Sequence, residues 1–342
     1  MQLDTALHLI QVQGTLEQVG EFLKARQLEH SAGSWRDMID RRLKPMIESG
    51  KLKPNDVLEL LRETEENGNQ HVLLYDILPG KNTNALFATD LRKKLQSLKD
   101  FPDVDDPQII DMPETPTIVE VREERYNGEN TIVAKIVEKR VAQRRASAEV
   151  RGTQYVVTYD QSPYRAVNVV RYFERGFAEV RIFSHQEAVS YSGQADGLLK
   201  KLAPLASPFV WRPYYLNNLK NAFWDATQRE TIKARFGLRH SQHRNADGSK
   251  LSAAVVNSQM SMFDDPSLLQ GIDGFNSARN DVDCDRASIT VKPLNGSNFR
   301  PVNVVLHGDT NGSPNEFSIG SRLTRDEYEH VLSTILEFNE KR

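Results

Sequence analysis

A short alternating run between residues 153 and 164 constrains the fold more than any other feature of the sequence. Residues 155–159 read Tyr-Val-Val-Thr-Tyr, and β-branched and aromatic residues at a period of two are typical of a β-strand. The run ends at Ser162-Pro163, where proline cannot donate a hydrogen bond to a neighbouring strand. We therefore expect a sheet that contains this strand, with a sharp exit at its end.

Similar runs occur on both sides of this segment. Two of them, 117–122 and 131–137, flank Asn127-Gly128, a dipeptide that favours hairpin turns. Strands combined with helices that pack on them indicate an α+β fold with an antiparallel or mixed sheet. Further strands are predicted at 167–170, 177–183, 288–292, 302–306 and 316–319, helices at 193–205, at 214–236 and after Thr324, and loops at 240–250 and 276–285.

The first 80 residues predict a small helical bundle. Thr15 stands before an apolar helical repeat with Gln18 three residues later, which is the pattern of a capping box. A second helix is expected to begin at Ser34 and to kink or end at Pro45, and a third to follow Lys53-Pro54. We assign residues 1–80 to this helical domain.

Residues 81–116 predict a connection between two domains. A helix is expected over 86–98, and residues 100–120 then contain seven acidic side chains, no basic ones and four prolines. Such a segment buries little surface and is typical of a linker. The linker is expected to let residues 1–80 and the larger α+β domain, 117–342, each fold alone.

Composition excludes several classes of protein. The chain of 342 residues has a single cysteine, Cys284, so it has no internal disulfide and no cysteine-based zinc site. Its first residues lack the pattern of a signal peptide, and no apolar run approaches the length of a membrane span. We expect a protein inside the cell without membrane contact, in the cytoplasm at the nucleoid if prokaryotic and in the nucleus if eukaryotic.

Three short patterns match parts of known enzymatic or metal sites. His240 and His243 lie in a polar segment near Asp247, and the acidic run 281–285 lacks the glycine and glutamate of a calcium loop. Glu138-Lys139 is a fragment of a metal-dependent nuclease site. Phosphate-binding loops and nucleophile motifs are absent. The sequence therefore predicts no catalytic residue, no metal and no cofactor, with a nuclease as the least favoured alternative.

The distribution of basic side chains instead favours a polyanionic ligand such as DNA. The net charge is −3, but residues 200–250 contain ten Lys or Arg against three Asp or Glu. Cations neutralise phosphates and release counterions from DNA. A groove between the helical domain and the basic face of the α+β domain is predicted to bind DNA. The cations beside its strands are Lys135, Lys139, Arg140, Arg144, Arg145 and Arg151, and those of the long helix are Arg212, Lys220, Lys233, Arg235 and Arg239.

Parts of the sequence resemble known families. Tyr-Val-Val-x-Tyr-x-Gln-Ser-Pro-Tyr at 155–164, Arg-x-x-Tyr-Leu-x-x-Leu-Lys at 212–220 and Arg-Glu-Glu at 122–124 resemble centromere protein N, a kinetochore subunit that binds DNA and nucleosomes. That family opens with a small helical domain of death-fold type that touches DNA. Residues 15–43 also have the rhythm of a helix-extended-helix DNA-binding module of the SAP type.

The resemblance implies roles for five further side chains. Arg212 matches one of two DNA-binding arginines at the start of a helix, while the other falls on Tyr214 and breaks the pattern. Arg36, Arg41 and Arg42 lie in the region of the family's basic second helix, and Lys81 follows the first domain as a lysine does there. The acidic residues with which the family reads the centromeric histone find no match on Asp4 or Glu17.

These observations predict a non-catalytic protein that binds double-stranded DNA, a centromere protein N relative from a eukaryote or a prokaryote. The alternative is an adaptor of the same fold that docks on another protein through its C-terminal region. Salt-dependent DNA binding distinguishes the two.

Overall fold

One antiparallel sheet dominates the computed structural model, which describes residues 3–88, 90–104, 106–185, 189–257, 260–278, 281–294, 296–310 and 312–340. Its strands run in the order β2-β3-β4-β5-β1-β11-β10-β9-β7-β8, and β6 pairs with β1. An α+β fold with a large antiparallel sheet is therefore confirmed. The strands are β1 (Gly68–Ile77), β2 (Thr117–Tyr126), β3 (Glu129–Arg151), β4 (Gln154–Phe173), β5 (Phe177–Phe183), β6 (Trp211–Pro213), β7 (Phe236–Asn245), β8 (Lys250–Ala254), β9 (Val282–Val291), β10 (Val302–Leu306) and β11 (Glu316–Arg322).

Helices cover both faces of this sheet. One face packs against α7 and α8, and the other against α9 and α12. The N-terminal helices have a core of their own, built from side chains such as Leu9, Val19 and Leu60. The helices are α1 (Leu3–Gln13), α2 (Leu16–Ala25), α3 (Trp35–Asp37), α4 (Lys44–Glu48), α5 (Pro54–Glu65), α6 (Asn84–Phe87), α7 (Leu91–Gln96), α8 (Tyr191–Lys201), α9 (Asn217–Ala222), α10 (Arg229–Arg235), α11 (Pro266–Ser277) and α12 (Arg325–Glu340).

The starts of the N-terminal helices follow the predicted signals. Thr15 and Gln18 form the capping box of α2, and Ser34 accepts a hydrogen bond from the backbone of Asp37 at the start of α3. Pro45 does not end the helical segment. A π-helical turn at Met38–Leu43 leads into α4, and Pro45 lies in its first turn, where a missing backbone donor is tolerated.

The helical bundle ends before the predicted boundary at residue 80, because Gly68–Ile77 form strand β1 of the sheet. The helices end at Glu65, and β1 lies between β5 and β11 near the middle of the sheet. Val72, Leu73 and Leu74 are fully buried. A strand covered on both faces has a continuous apolar run, which a periodicity argument cannot distinguish from a buried helix.

The acidic segment before β2 also differs from a free linker. The backbone of Gln108 donates to Val119 at 2.8 Å, Pro113 accepts from the Lys139 backbone at 3.0 Å, and Ile109 packs on the core of the N-terminal helices. The segment therefore lies along the sheet edge, because its few apolar residues and backbone groups find partners there.

Two further predictions were wrong. The long helix expected over 214–236 is divided into α9 and α10, where the Asp225 side chain accepts from the backbone of Thr227 at 2.8 Å. The loop expected over 240–250 belongs largely to the β7–β8 hairpin. Its polar residues tolerate a strand because β8 is the last strand of the sheet and one side of it faces solvent.

Candidate nucleic-acid interface

The β3–β4 hairpin extends well beyond its neighbours in the sheet. The two strands pair from Thr131 with Phe173 to Arg151 with Gln154, whereas β2 pairs with β3 only as far as Val137. Strand β5 pairs with β4 only from Val169 onward. We name residues 141–163 the arm, a two-stranded ribbon that no other described strand joins.

The tip of the arm is a tight turn. Gly152 and Thr153 connect the strands, and Gly152 has a φ of 62°. A positive φ at the first of two turn residues is typical of a type II′ hairpin, which glycine adopts without strain. Local sequence thus fixes the register of the whole arm.

One face of the arm is aromatic, apolar and basic. The exposed fractions of Val150, Tyr155 and Tyr159 are 72%, 65% and 54%. The Arg145 guanidinium lies across from Tyr159 and donates to the Tyr155 hydroxyl at 2.6 Å. Large apolar side chains presented together with arginine on an exposed strand pair are typical of a binding surface.

The other face of the arm is polar. Arg144 lies opposite Asp160 in register, and Arg151 contacts Glu149 at 2.5 Å. The arm as a whole carries three arginines against two acidic residues. Its positive charge is small, so aromatic contacts have to supply much of any affinity for a nucleic acid.

The base of the arm faces the N-terminal helices. Lys135 on β3 contacts Glu65 at the end of α5 at 2.5 Å. Alternate positions of a strand share a face, so Val141 and Arg145 lie on the same side of the sheet as these helices.

The other predicted DNA contacts fall into two groups. Arg36 and Lys81 are exposed and have no ion pair among the described residues. Four other surface cations are paired: Arg41 with Asp37 at 3.3 Å, Arg42 with Glu29 at 3.1 Å, Lys139 with Glu114 at 2.7 Å and Arg212 with Asp76 at 2.9 Å.

Arg140 and Lys220 are unsuited to contact DNA. Arg140 is buried and donates to Glu138 at 2.7 Å and to the Phe183 carbonyl at 2.6 Å. Lys220 is 2% exposed and donates to the carbonyls of Asp285 and His307. The prediction was wrong for both side chains, because each cation saturates its donors inside the fold.

The groove between the N-terminal helices and the sheet is not basic. A cavity of about 860 Å³ lies between α2, α5, β2 and α12. Lys135, which was predicted to face DNA here, is 3% exposed and paired with Glu65. The cavity is lined by eight carboxylates, Glu21, Glu59, Glu63, Glu66, Glu124, Asp326, Glu327 and Glu329, and six cations, Lys24, Arg26, Arg62, Arg122, Arg181 and Arg325.

Buried ion pairs occupy the floor of this groove. Arg122 contacts Glu66 at 2.6 Å and Glu124 at 2.7 Å, and Lys135 contacts Glu66 at 3.5 Å. Burial opposes ionisation of Glu66, but Arg122 and Lys135 outweigh it and lower its pKa to about 2. These arginines and lysines hold the helices on the sheet and are not available to phosphates.

Glu63 in the same cavity makes stability depend on pH. Burial raises its pKa to about 7 from 4.5, although the Arg325 backbone donates to its carboxyl. The folded state therefore keeps a proton that the unfolded chain releases, so ionised Glu63 costs stability as the pH rises from 4.5 to 7. We expect Glu63→Gln to stabilise the protein by about 1–3 kcal/mol at pH 8 and hardly at all at pH 4. Urea unfolding at both pH values measures this, and an equal effect at both would contradict it.

Arg212 does not begin a helix as expected. It lies in the short strand β6, directly opposite Asp76 on β1, and α9 begins only at Asn217. Because its ion pair is exposed, we expect Arg212→Ala to cost at most about 1 kcal/mol of stability. Thermal unfolding checks this value. A loss above about 2 kcal/mol would mean that the pair holds β6 in place.

The patterns weighed as metal sites lack a complete ligand set. His243 is buried against Trp224, His240 bonds to Ser252 at 2.9 Å, and Glu138 bonds to Asn168 at 3.0 Å. In the described part of the chain, the one group of three potential ligands is His71, His307 and Glu316. The sequence gives no sign of this group, because His71 lies over 200 residues before the other two members and the three match no motif.

Comparisons with known proteins add no relative. No protein-family model matches the sequence, and no curated protein matches it. None of the helices that the structure describes is both long and apolar enough to cross a bilayer.

Proposed function

We propose that this protein is a non-catalytic, double-stranded DNA-binding protein and that the arm is its principal contact. The observation that carries the proposal is the exposed face of Arg145, Tyr155 and Tyr159 on a ribbon free of other strands. A two-stranded ribbon fits the major groove of B-form DNA. Arginine and tyrosine side chains also contact the phosphates on either side of a groove.

Exposed cations outside the aromatic face of the arm would extend this contact. Arg144 on the polar face of the arm, Arg36 on the N-terminal helices and Lys81 after β1 are exposed. Each would neutralise one phosphate, and the paired Arg41, Arg42, Lys139, Arg151 and Arg212 would do so only by exchanging a carboxylate for a phosphate. The DNA contact is thus proposed at the arm, and not in the groove between the N-terminal helices and the sheet.

A relationship to the centromere protein N family is part of the proposal. It depends on the sequence resemblance at 122–124, 155–164 and 212–220, the second of which lies in β4, the second strand of the arm. The N-terminal helices would correspond to the family's death-fold domain or to a SAP-type module. A place at the nucleoid or in the nucleus would follow from the same function.

Salt dependence of binding tests the proposal. Labelled random duplex DNA is titrated with protein by fluorescence anisotropy between about 50 and 200 mM salt, where phosphate contacts weaken steeply. Arg144→Ala and Arg145→Ala should each lower the salt slope by about one, and Glu48→Gln, an exposed change on α4, should not. Absence of binding at low salt would contradict the proposal.

The adaptor hypothesis is the second candidate. It is favoured by Val150 at the arm tip and Val141 at its base, which are 72% and 44% exposed and contribute nothing to phosphate binding. A partner protein would bury these side chains together with the tyrosines. Val150→Ser should then leave DNA affinity unchanged and weaken a protein complex, while Arg145→Ala should weaken the DNA complex.

A further inference from the structure

Three potential metal ligands meet below the first turn of α8. His71 lies on β1, Glu316 begins β11, and His307 directly follows β10. One ligand atom from each residue lies within 4.8 Å of the other two. The Glu316 Oε1 atom is 2.5 Å from Nδ1 of His71 and 3.8 Å from Nε2 of His307. Hydrogen-bonded strands thus bring His71 close to two residues that lie over 200 positions further along the chain.

The chemistry of this set suits a divalent transition metal. Two imidazoles and one carboxylate are ligands of Zn²⁺ and of neighbouring ions in the series, whereas Ca²⁺ and Mg²⁺ prefer oxygen. Three protein ligands leave one tetrahedral position open, as in zinc sites that bind water. We propose that His71, His307 and Glu316 bind one divalent transition-metal ion of the zinc class.

Neighbouring groups hold two of the three ligands, Glu316 and His71, in place. The Ser313 backbone donates to the second Glu316 oxygen at 3.2 Å, and the Tyr191 ring stacks on His71 with centroids 3.5 Å apart. Such outer contacts fix ligand orientation in metal sites. The Ser318 hydroxyl is 2.9 Å from Nε2 of His307, and an ion bound to this nitrogen would displace that contact.

Gly312 lies directly against two of the three ligands. Gly312 has a φ of 152°, and a Cβ atom there would come within 3.0 Å of a Glu316 oxygen and 3.1 Å of His307 Nδ1. Any larger residue would press on two ligands at once. A cleft of about 480 Å³ beside Ser313, lined also by Ser192 and Asp196 on α8, opens next to the cluster.

A simple polar cluster explains less of this geometry. One histidine satisfies the Glu316 carboxylate, and Nε2 of the other lies 3.8 Å from the same oxygen atom. Glu316 is 2% exposed and His307 is 6% exposed, so contacts within the protein, and not water, fix the positions of both side chains. An ion between the three groups would take the place of the hydrogen bond between His71 and Glu316.

The experiment uses full-length protein freed of metal by a chelator. Zn²⁺ is titrated calorimetrically, and Co²⁺ serves as a spectroscopic probe because its visible absorption reports coordination number. We expect one equivalent of Zn²⁺, a Co²⁺ spectrum of a four- or five-coordinate site, and a melting temperature raised by Zn²⁺. Binding should weaken at least about tenfold in His71→Ala and in Glu316→Gln, since even outer-shell changes cost this much.

His240→Ala is the matched control, because His240 lies on β7 away from the cluster and binds Ser252. It should bind Zn²⁺ as the unchanged protein does. If the buried Glu316→Gln change prevents folding, the half-buried His71→Ala variant decides the question. Absence of Zn²⁺ binding, or equal affinity in His71→Ala and unchanged protein, would overturn the proposal.

Discussion

Glu65→Gln should destabilise the protein by about 3–5 kcal/mol, the usual effect of removing one partner from a buried ion pair. The Glu65 side chain lies fully buried between Arg165 and Lys135, both at most 4% exposed at their side chains. Glutamine keeps the shape but removes the charge, so two buried cations lose their shared counterion. Chemical denaturation measures the change directly.

Glu59→Gln on the same helix is the matched control. Glu59 pairs with Arg26 at 2.5 Å, but its side chain is 52% exposed. Solvent screens such a pair, and we expect a change below about 1 kcal/mol. Equal effects of the two substitutions would mean that the ion pairs beneath the N-terminal helices do not hold them on the sheet.

Separating the chain at the acidic segment should abolish folding of both parts. Fragment 117–342 lacks β1, which pairs with β5 on one side and β11 on the other. Fragment 1–99 carries β1 without either neighbour, so its buried Val72 and Leu74 would face water. We expect neither fragment to show cooperative unfolding alone, and the two to assemble when produced together.

Circular dichroism and thermal unfolding of each fragment test this expectation. A protease site inserted after Asp103 provides the control, since the cut chain should remain one particle with its fold intact. Cooperative unfolding of fragment 117–342 near the melting temperature of the whole protein would restore the two independent domains that the sequence predicted.

Local signals in the sequence predicted local structure well. Alternation found the hairpin around Asn127-Gly128 and the start of β4, and the capping box found the start of α2. The exit expected at Ser162-Pro163 was wrong, because Pro163 pairs with Val141 and β4 continues to Phe173. The order of strands in the sheet is set by long-range pairing, which no short window contains. For that reason the place of β1 between β5 and β11 was missed.

The positions of Lys and Arg in the sequence did not show which cations are exposed and available to a ligand. The sequence marks Lys135, Arg140 and Lys220 as cations, but each has its partners inside the fold. Burial of a cation depends on carboxylates far away along the chain, such as Glu65 for Lys135. Tyr155 and Tyr159 stand at the two ends of the alternating run 155–159, and both side chains are exposed on the arm.

The most direct test of the proposed DNA contact is to remove the arm alone. Gln143 and Gln161 lie opposite each other in register, so an Asn-Gly turn in place of residues 144–160 should close the hairpin without disturbing the sheet. The shortened protein should keep its melting temperature within a few degrees. Anisotropy titration with duplex DNA at about 50 mM salt should show at least a tenfold loss of affinity, and unchanged affinity would contradict the account.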